Sequence, residues 1–254
     1  MLLCTDVGNT NIKFALYEGD KQHVKLRFST NSQQTPDDFA VKLFSIFQIN
    51  NIDTSKIKGS VISSVVPRVT YPLVEAIEKV VGIKSLIVGP GVKTGLDLRI
   101  DNPSTLGADL VCMCVAVKEM YTCPAIVVGL GTATTIVYMN ENRAYCGGAI
   151  LPGVSISLDA LTNNGALLPS VDIAPPKNII CTNTEDCISS GIVYGTASTI
   201  DGMIDKFQEE TGKSCTIIAT GGLASTIIKN CRHNIILNDD LILEGLKIIY
   251  NKNK

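Results

Sequence analysis

The sequence predicts a duplicated α/β protein, and two observations carry that prediction. An apolar run that empties into glycine, asparagine and threonine occurs twice, first as LLCTDV before Gly8-Asn9-Thr10 and again as AIVVGL before Gly131-Thr132. Each occurrence is followed by further strand-like runs and then by a helix-like one. Gly129 stands 123 positions after Asp6, so the pattern recurs about half a chain later. A βββα unit used twice buries its apolar faces as two layered lobes, expected here over residues 1–120 and 121–254. No low-complexity stretch separates them, so the lobes are expected to pack as one body with a hinge and a cleft.

The elements follow in order. LLCTDV, IKFALY and HVKLRFS read as three short antiparallel strands, separated by Gly8-Asn9-Thr10 and by the turn Glu18-Gly19-Asp20. Thr35-Pro36-Asp37-Asp38 supplies an N-cap, a proline at the first helical position and acids in the first turn. Phe39, Leu43, Phe44 and Phe47 then recur at helical spacing, which predicts a helix over 36–49. IKGSVISSVV is a buried-strand pattern ended by Pro67, YPLVEAIEKVV a helix, and SLIVG a strand. LGADLVCMCVAVKEM is a helix that Ser104 or Thr105 can cap; its apolar residues cover nearly all its faces, which predicts burial or a subunit interface. In the second half, AIVVGLG is a strand, Thr132 to Thr135 a turn, TIVYM a strand, and NENRAYCGGAI a hairpin into a third. A helix over about 153–164 follows, and later the strand CTIIA and the helix ASTIIKN.

Composition bounds the function. The chain has 254 residues, 45% of them hydrophobic and 18% charged, enough for a sizeable core in one or two domains. A net charge of −2 with no long basic run disfavours nucleic acid as a partner. No apolar run approaches the roughly 20 residues that span a bilayer, and Asp6 arrives too early for a signal peptide. The nine cysteines are an odd number without a C-x-x-C pair, and there are only two histidines, His23 and His233. Reduced, buried thiols in a cytoplasmic protein are the expectation, with no zinc site.

Four segments carry chemistry. In Asp6-Val7-Gly8-Asn9-Thr10-Asn11, Gly8 lets the backbone approach an anion while amides and the Asn and Thr side chains donate to it. Asp6, at the end of a buried strand, suits Mg²⁺, directly or through water. An Asn-rich hairpin tip is the plainer reading of this loop alone; its recurrence as Gly131-Thr132-Ala133-Thr134-Thr135 favours phosphate. Thr220-Gly221-Gly222, between a strand and a helix, would let a turn lie against an adenine or ribose. Asp109, near a helix start with Gly107 and Ala108 leaving room beside it, suits a general base acting on an attacking hydroxyl. Alone it would be read as a residue complementing the helix dipole.

Together with SSVVP (63–67), NP (102–103), GAD (107–109), GGAILPG (147–153), LP (168–169), NT (183–184) and SGIVYG (190–195), these segments resemble the type III pantothenate kinases of the actin/hexokinase/acetate-kinase superfamily. The resemblance covers essentially the whole chain. It implies duplicated actin-like (ribonuclease H-like) βββαβα domains with a nucleotide cleft between them. It also implies ATP-dependent phosphorylation of pantothenate to 4'-phosphopantothenate, the first step towards coenzyme A, by a homodimer with its site near the interface. On it, Asp6, Val7, Gly8, Asn9, Thr10, Asn11, Ile12, Lys13 and Thr132 hold the nucleotide phosphates. Gly107, Ala108, Asp109, Leu110 and Thr184 line the pantothenate pocket, and Asp109 is the base. The family usually has an acid where Gly129 stands, helping to hold K⁺ or NH₄⁺. It has arginine in place of Leu110 and often an aromatic residue in place of Ile100. These departures keep two rivals beside the kinase: a non-catalytic or weakly active paralogue that binds nucleotide or a pantothenate-like ligand as a regulator, and a kinase for another small hydroxylated substrate.

Overall fold

The structure, a computed structural model, describes residues 1–165 and 167–254. The chain divides into two compact units. The first comprises Met1–Gly95, Asn102–Ala116 and Leu241–Lys254; the second comprises Leu96–Asp101 and Val117–Asp240. The change from Ala116 to Val117 falls near residue 120, whereas the C-terminal segment groups with the N-terminal one.

In the first unit, β1 (Leu2–Val7), β2 (Asn11–Glu18) and β3 (Lys21–Ser29) form an antiparallel meander. β4 (Gly59–Ser64) and β5 (Ser85–Ile87) add in parallel on the other side of β1, so the order is β3-β2-β1-β4-β5. α1 (Pro36–Ile49) opens at Thr35 with a reciprocal capping box, Thr35 Oγ1 accepting from the Asp38 amide while the Asp38 carboxylate accepts from the Thr35 amide. α2 (Pro67–Val81) begins at the proline that ends the strand segment, four residues before the helix pattern YPLVEAIEKVV, because Pro67 takes the first helical position where no amide is needed. Phe14, Phe39, Leu43, Phe47, Leu73 and Ile77 interlock as the core of this unit. Each fully buried side chain of this size contributes roughly 1.5–3 kcal/mol.

α7 (Leu241–Lys252) packs on β1 and β4 through Leu241, Leu243, Leu246 and Ile249. It crosses α3 (Ala108–Met120) so closely that a Cβ on Gly245 would lie 1.9 Å from the Cys112 carbonyl oxygen. No other residue fits there. Cys112 to Val117 of α3 are all buried within this single chain, so the helix's apolar character does not call for a second copy.

The second unit repeats the arrangement. β6 (Ala125–Leu130), β7 (Ala133–Met139) and β8 (Tyr145–Pro152) are antiparallel, and β9 (Thr216–Thr220) and β10 (Ile236–Leu237) are parallel to β6. The order β8-β7-β6-β9-β10 matches β3-β2-β1-β4-β5 strand for strand and in sense. α4 (Val154–Asn164), the long α5 (Thr184–Thr211) and the short α6 (Ala224–Ile227) complete it, with a core of Ile126, Val128, Leu130, Val193, Ile200 and Ile204. Among the described residues, no helix is long and apolar enough to cross a membrane.

Candidate active site

Asp6 is the penultimate residue of β1, with Lys13 of β2 on one side and Ser63 of β4 on the other. Only 6% of it is exposed. Burial pushes its carboxyl up to about 7; the Asp109 carboxylate adds to the rise, while Lys13 and the Ser63 hydroxyl oppose it. The hairpin beyond is held by its own backbone. The Gly8 amide donates to the Asn11 carbonyl at 3.0 Å, Thr30 Oγ1 donates to the Gly8 carbonyl at 2.6 Å, and the Thr30 amide donates to the Thr10 carbonyl at 3.0 Å. Asn9 and Thr10 are left exposed at the tip. This is a preorganised loop carrying donors, next to a buried acid.

Asp109 stands in the first turn of α3, half-buried, in the same unit. Burial raises its pKa, against the backbone amides of Leu110 and of Asp109 itself, which stabilise the anion. The Leu110 amide donates to Asp109 Oδ1 at 2.8 Å. A Cβ on Gly107 would meet the same oxygen at 2.5 Å, so the glycine leaves the space the carboxylate occupies. Ser104 and Thr105 do not cap this helix. They lie in a 3-10 turn, Pro103–Thr105, that ends before it, and both hydroxyls turn back to Asn102. The sequence reading missed this because two ordinary caps sat within reach of the apolar run.

The remaining candidates lie in the second unit. The turn there is shorter than Thr132 to Thr135: Ala133, Thr134 and Thr135 already belong to β7, paired with Pro152, Leu151 and Ile150 of β8, and Gly131-Thr132 alone makes the turn. Two glycines clamp that turn. A Cβ on Gly153 would sit 2.0 Å from the Thr132 carbonyl oxygen, and one on Gly221 would sit 2.3 Å from the Leu130 carbonyl oxygen. Gly221 also has φ +116°, which side-chain-bearing residues rarely adopt. Gly222 follows it in the turn into α6. Gly153 was visible in sequence only as part of a motif; its role needs the fold. Thr184 is the exposed first residue of α5, behind the cap Asn183, whose Oδ1 accepts from the Asp186 amide at 2.9 Å. Ile100 is half-buried and groups with this unit, whereas Gly107, Ala108 and Leu110 group with the first.

Sheet register makes Gly129 the counterpart of Asp6. Gly129 is penultimate in β6, flanked by Thr135 and Thr220 as Asp6 is flanked by Lys13 and Ser63. It is buried in regular, extended strand, so no unusual backbone angle requires glycine there.

The residues present fit a magnesium ion at Asp6. Among the described residues no three acidic, histidine or cysteine side chains gather to hold a metal unaided. Mg²⁺ is commonly bound through one or two carboxylates with water and phosphate oxygens making up the rest, which is what a single buried carboxylate beside a phosphate-type loop offers. They do not fit a monovalent cation at position 129, where glycine supplies no side-chain oxygen. A groove of about 300 Å³ in the first unit, lined in part by Met1, Tyr17, Lys58, Lys247 and Tyr250, lies at the opposite end of β1 from this chemistry.

Comparison with known proteins adds the family. The family of type III pantothenate kinases matches residues 2–206. The type III pantothenate kinases of Exiguobacterium sp. and Halalkalibacterium halodurans are each 40% identical to this chain, with all of both chains covered in each case. Among solved structures, the activator of the 2-hydroxyisocaproyl-CoA dehydratase from Clostridium difficile, with bound ADPNP, superposes with a TM-score of 0.59 at 11% identity, covering 99% of this chain and 96% of that one. That likeness concerns the fold.

Proposed function

The chain belongs to the type III pantothenate kinase family, and from that premise we propose how its own residues carry out the family's reaction. It is a small-molecule kinase that phosphorylates pantothenate with ATP in coenzyme A biosynthesis. The single observation that carries the residue assignment is the pairing of two shielded carboxylates, Asp6 and Asp109, close enough in one unit for Asp109 to raise the pKa of Asp6.

Asp109 is the general base. Its backbone contacts hold the carboxylate at the helix start, and burial moves its pKa towards neutrality, where a base is most effective. It takes the proton of the pantothenate hydroxyl as that oxygen attacks the terminal phosphorus of ATP, whose bond to the bridging oxygen breaks to release ADP. Phosphoryl transfer depends chiefly on positioning and charge neutralisation, and the Gly8–Asn11 loop and Lys13 supply amides and a cation for the phosphates. When bound at Asp6, Mg²⁺ would neutralise phosphate charge. Thr132, Gly221 and Gly222 keep their assignment to the nucleotide, and Thr184 its assignment to pantothenate. Leu110 leaves the acceptor pocket one cation short of the family pattern, and Gly129 leaves potassium or ammonium without an anionic ligand.

We also infer a cytoplasmic homodimer. The support for the dimer is the apolar surface of the second unit, where Ile150, Leu167, Ile179 and Ile180 are between 66% and 94% exposed. The test of function is direct. Purified protein with Mg·ATP is given pantothenate and a panel of other hydroxylated acceptors, with and without potassium or ammonium, and products are read by mass spectrometry. Formation of 4'-phosphopantothenate in preference to other products is expected. Turnover of a different acceptor alone, or of none, would refute the reading.

A further inference from the structure

β4 carries three serines, and their hydroxyls meet different fates. Ser60 Oγ accepts from Ser85 Oγ at 2.8 Å. Ser64 Oγ accepts from the Val66 amide at 3.1 Å and from Thr70 Oγ1 at 2.6 Å. Ser63 is wholly buried, at 0% exposure, yet its hydroxyl makes no hydrogen bond of good geometry. A buried hydroxyl without a partner costs stability and calls for an explanation. Its surroundings supply one. Ser63 is the in-register neighbour of Asp6 across the parallel β1/β4 pair, and so on the same face of the sheet. The other group it approaches is the buried Cys112 thiol, a weak hydrogen-bond partner. The second sheet repeats the hydroxyl: Thr220, also buried, stands beside Gly129 where Ser63 stands beside Asp6.

We infer that Ser63 is a positioning residue whose hydroxyl donates to the Asp6 carboxylate and fixes the orientation in which Asp6 meets magnesium and the nucleotide phosphates. A carboxylate with few neighbours can turn about its terminal torsion, and a donor on one side selects one setting. Asp6 is flanked by Lys13 on β2 and by Ser63 on β4, so the serine supplies the neutral, short-range restraint that a long lysine side chain does not. A space-filling serine would be replaceable by alanine without effect on metal use. A positioning serine would not be.

The inference rests on the assignment of Asp6 to the metal, so Asp6→Asn is measured alongside. Ser63→Ala removes the hydroxyl, and Ser63→Thr and Ser63→Val form a pair of equal size that differ only in having one. Three quantities are read: calorimetric affinity for Mg·ADP, the magnesium concentration giving half-maximal rate, and thermal stability in EDTA. For Ser63→Ala, loss of one hydrogen bond to a charged group is expected to weaken both magnesium measures by on the order of tenfold. KM for pantothenate should be unchanged, and Tm in EDTA no lower than that of the native chain. Thr should retain magnesium affinity better than Val. The inference is overturned if Ser63→Ala leaves both magnesium measures unchanged, if Thr and Val behave alike, or if Tm in EDTA falls in step with activity. If Asp6→Asn also leaves magnesium use untouched, the metal assignment fails and the inference falls with it. A sensitive Asp6 with an indifferent Ser63 sinks the inference alone.

Discussion

Asp6→Asn should stabilise the metal-free protein while disabling it. The carboxyl of Asp6 sits about 3 pH units above its ordinary 3.8, at about 7, chiefly because burial disfavours the anion. At about 1.36 kcal/mol per unit, holding it ionised costs the fold an upper limit of about 4 kcal/mol at pH 8. The sign follows from the direction of the shift. Below about pH 4 the group is protonated folded and unfolded, and contributes nothing to pH dependence. Between about 4 and 7 the unfolded chain releases the proton first, so stability falls as pH rises, and above about 7 the loss is complete. Asparagine cannot ionise and escapes that loss, although Lys13 then lacks its opposite charge, which trims the gain. Urea unfolding in EDTA at pH 4, 6 and 8 should show midpoints that coincide at pH 4 and diverge at pH 8, with the variant higher. Adding Mg·ADP should raise the midpoint of the native chain and not of the variant. A variant that unfolds at the same or lower urea than the native chain at pH 8, with no gap opening between pH 4 and 8, would refute the argument.

Asp109→Asn should lower kcat by roughly 10²–10⁴-fold with the fold intact, and near-native turnover would remove Asp109 from the role of base. Gly221→Ala should cost several kcal/mol of stability, since it combines a φ of +116° with a Cβ 2.3 Å from the Leu130 carbonyl oxygen; circular dichroism melts matching the native chain would contradict the clamp. Gly129→Asp places in the second sheet the acid that Asp6 places in the first, and should make turnover respond to potassium, with Leu110→Arg raising activity on pantothenate further. A folded Gly129→Asp protein indifferent to potassium would end that line of reasoning. Sedimentation should report a dimer, and a species near 27 kDa at micromolar concentration would not fit the exposed apolar surface of the second unit.

Most of the architecture was legible because it rests on local signals. Alternating apolar runs, the Thr35-Pro36-Asp37-Asp38 start and the repeated hairpin each depend on neighbours in sequence, and α1 begins and ends where its spacing says. The errors came where local signals compete. Ser104 and Thr105 are good caps near a helix, but Pro103 draws them into a turn of their own. Thr134 and Thr135 suit a turn, but pairing with β8 keeps them in strand. The burial of α3 was legible and its cause was not, since a helix apolar all round reads alike whether its own chain or another copy covers it. At the site, Asp6 and Asp109 were visible as carboxylates at the ends of apolar runs. Ser63 and Gly153 were visible only as members of motifs, because their meaning lies in a strand register and a carbonyl 2.0 Å from a Cβ position.

The grouping of Leu241–Lys254 with the first unit has a consequence for how the chain comes off the ribosome. β1 to β5 are complete by residue 87, yet the helix that covers β1 and β4 begins at residue 241. At the usual 5–20 residues per second, roughly 8–30 s of synthesis separate the sheet from its cover. Throughout that interval the face that α7 will bury stays open to chaperones and to neighbouring nascent chains. Loss of Leu241–Lys252 would therefore uncover β1 and β4, strands made at the start of synthesis.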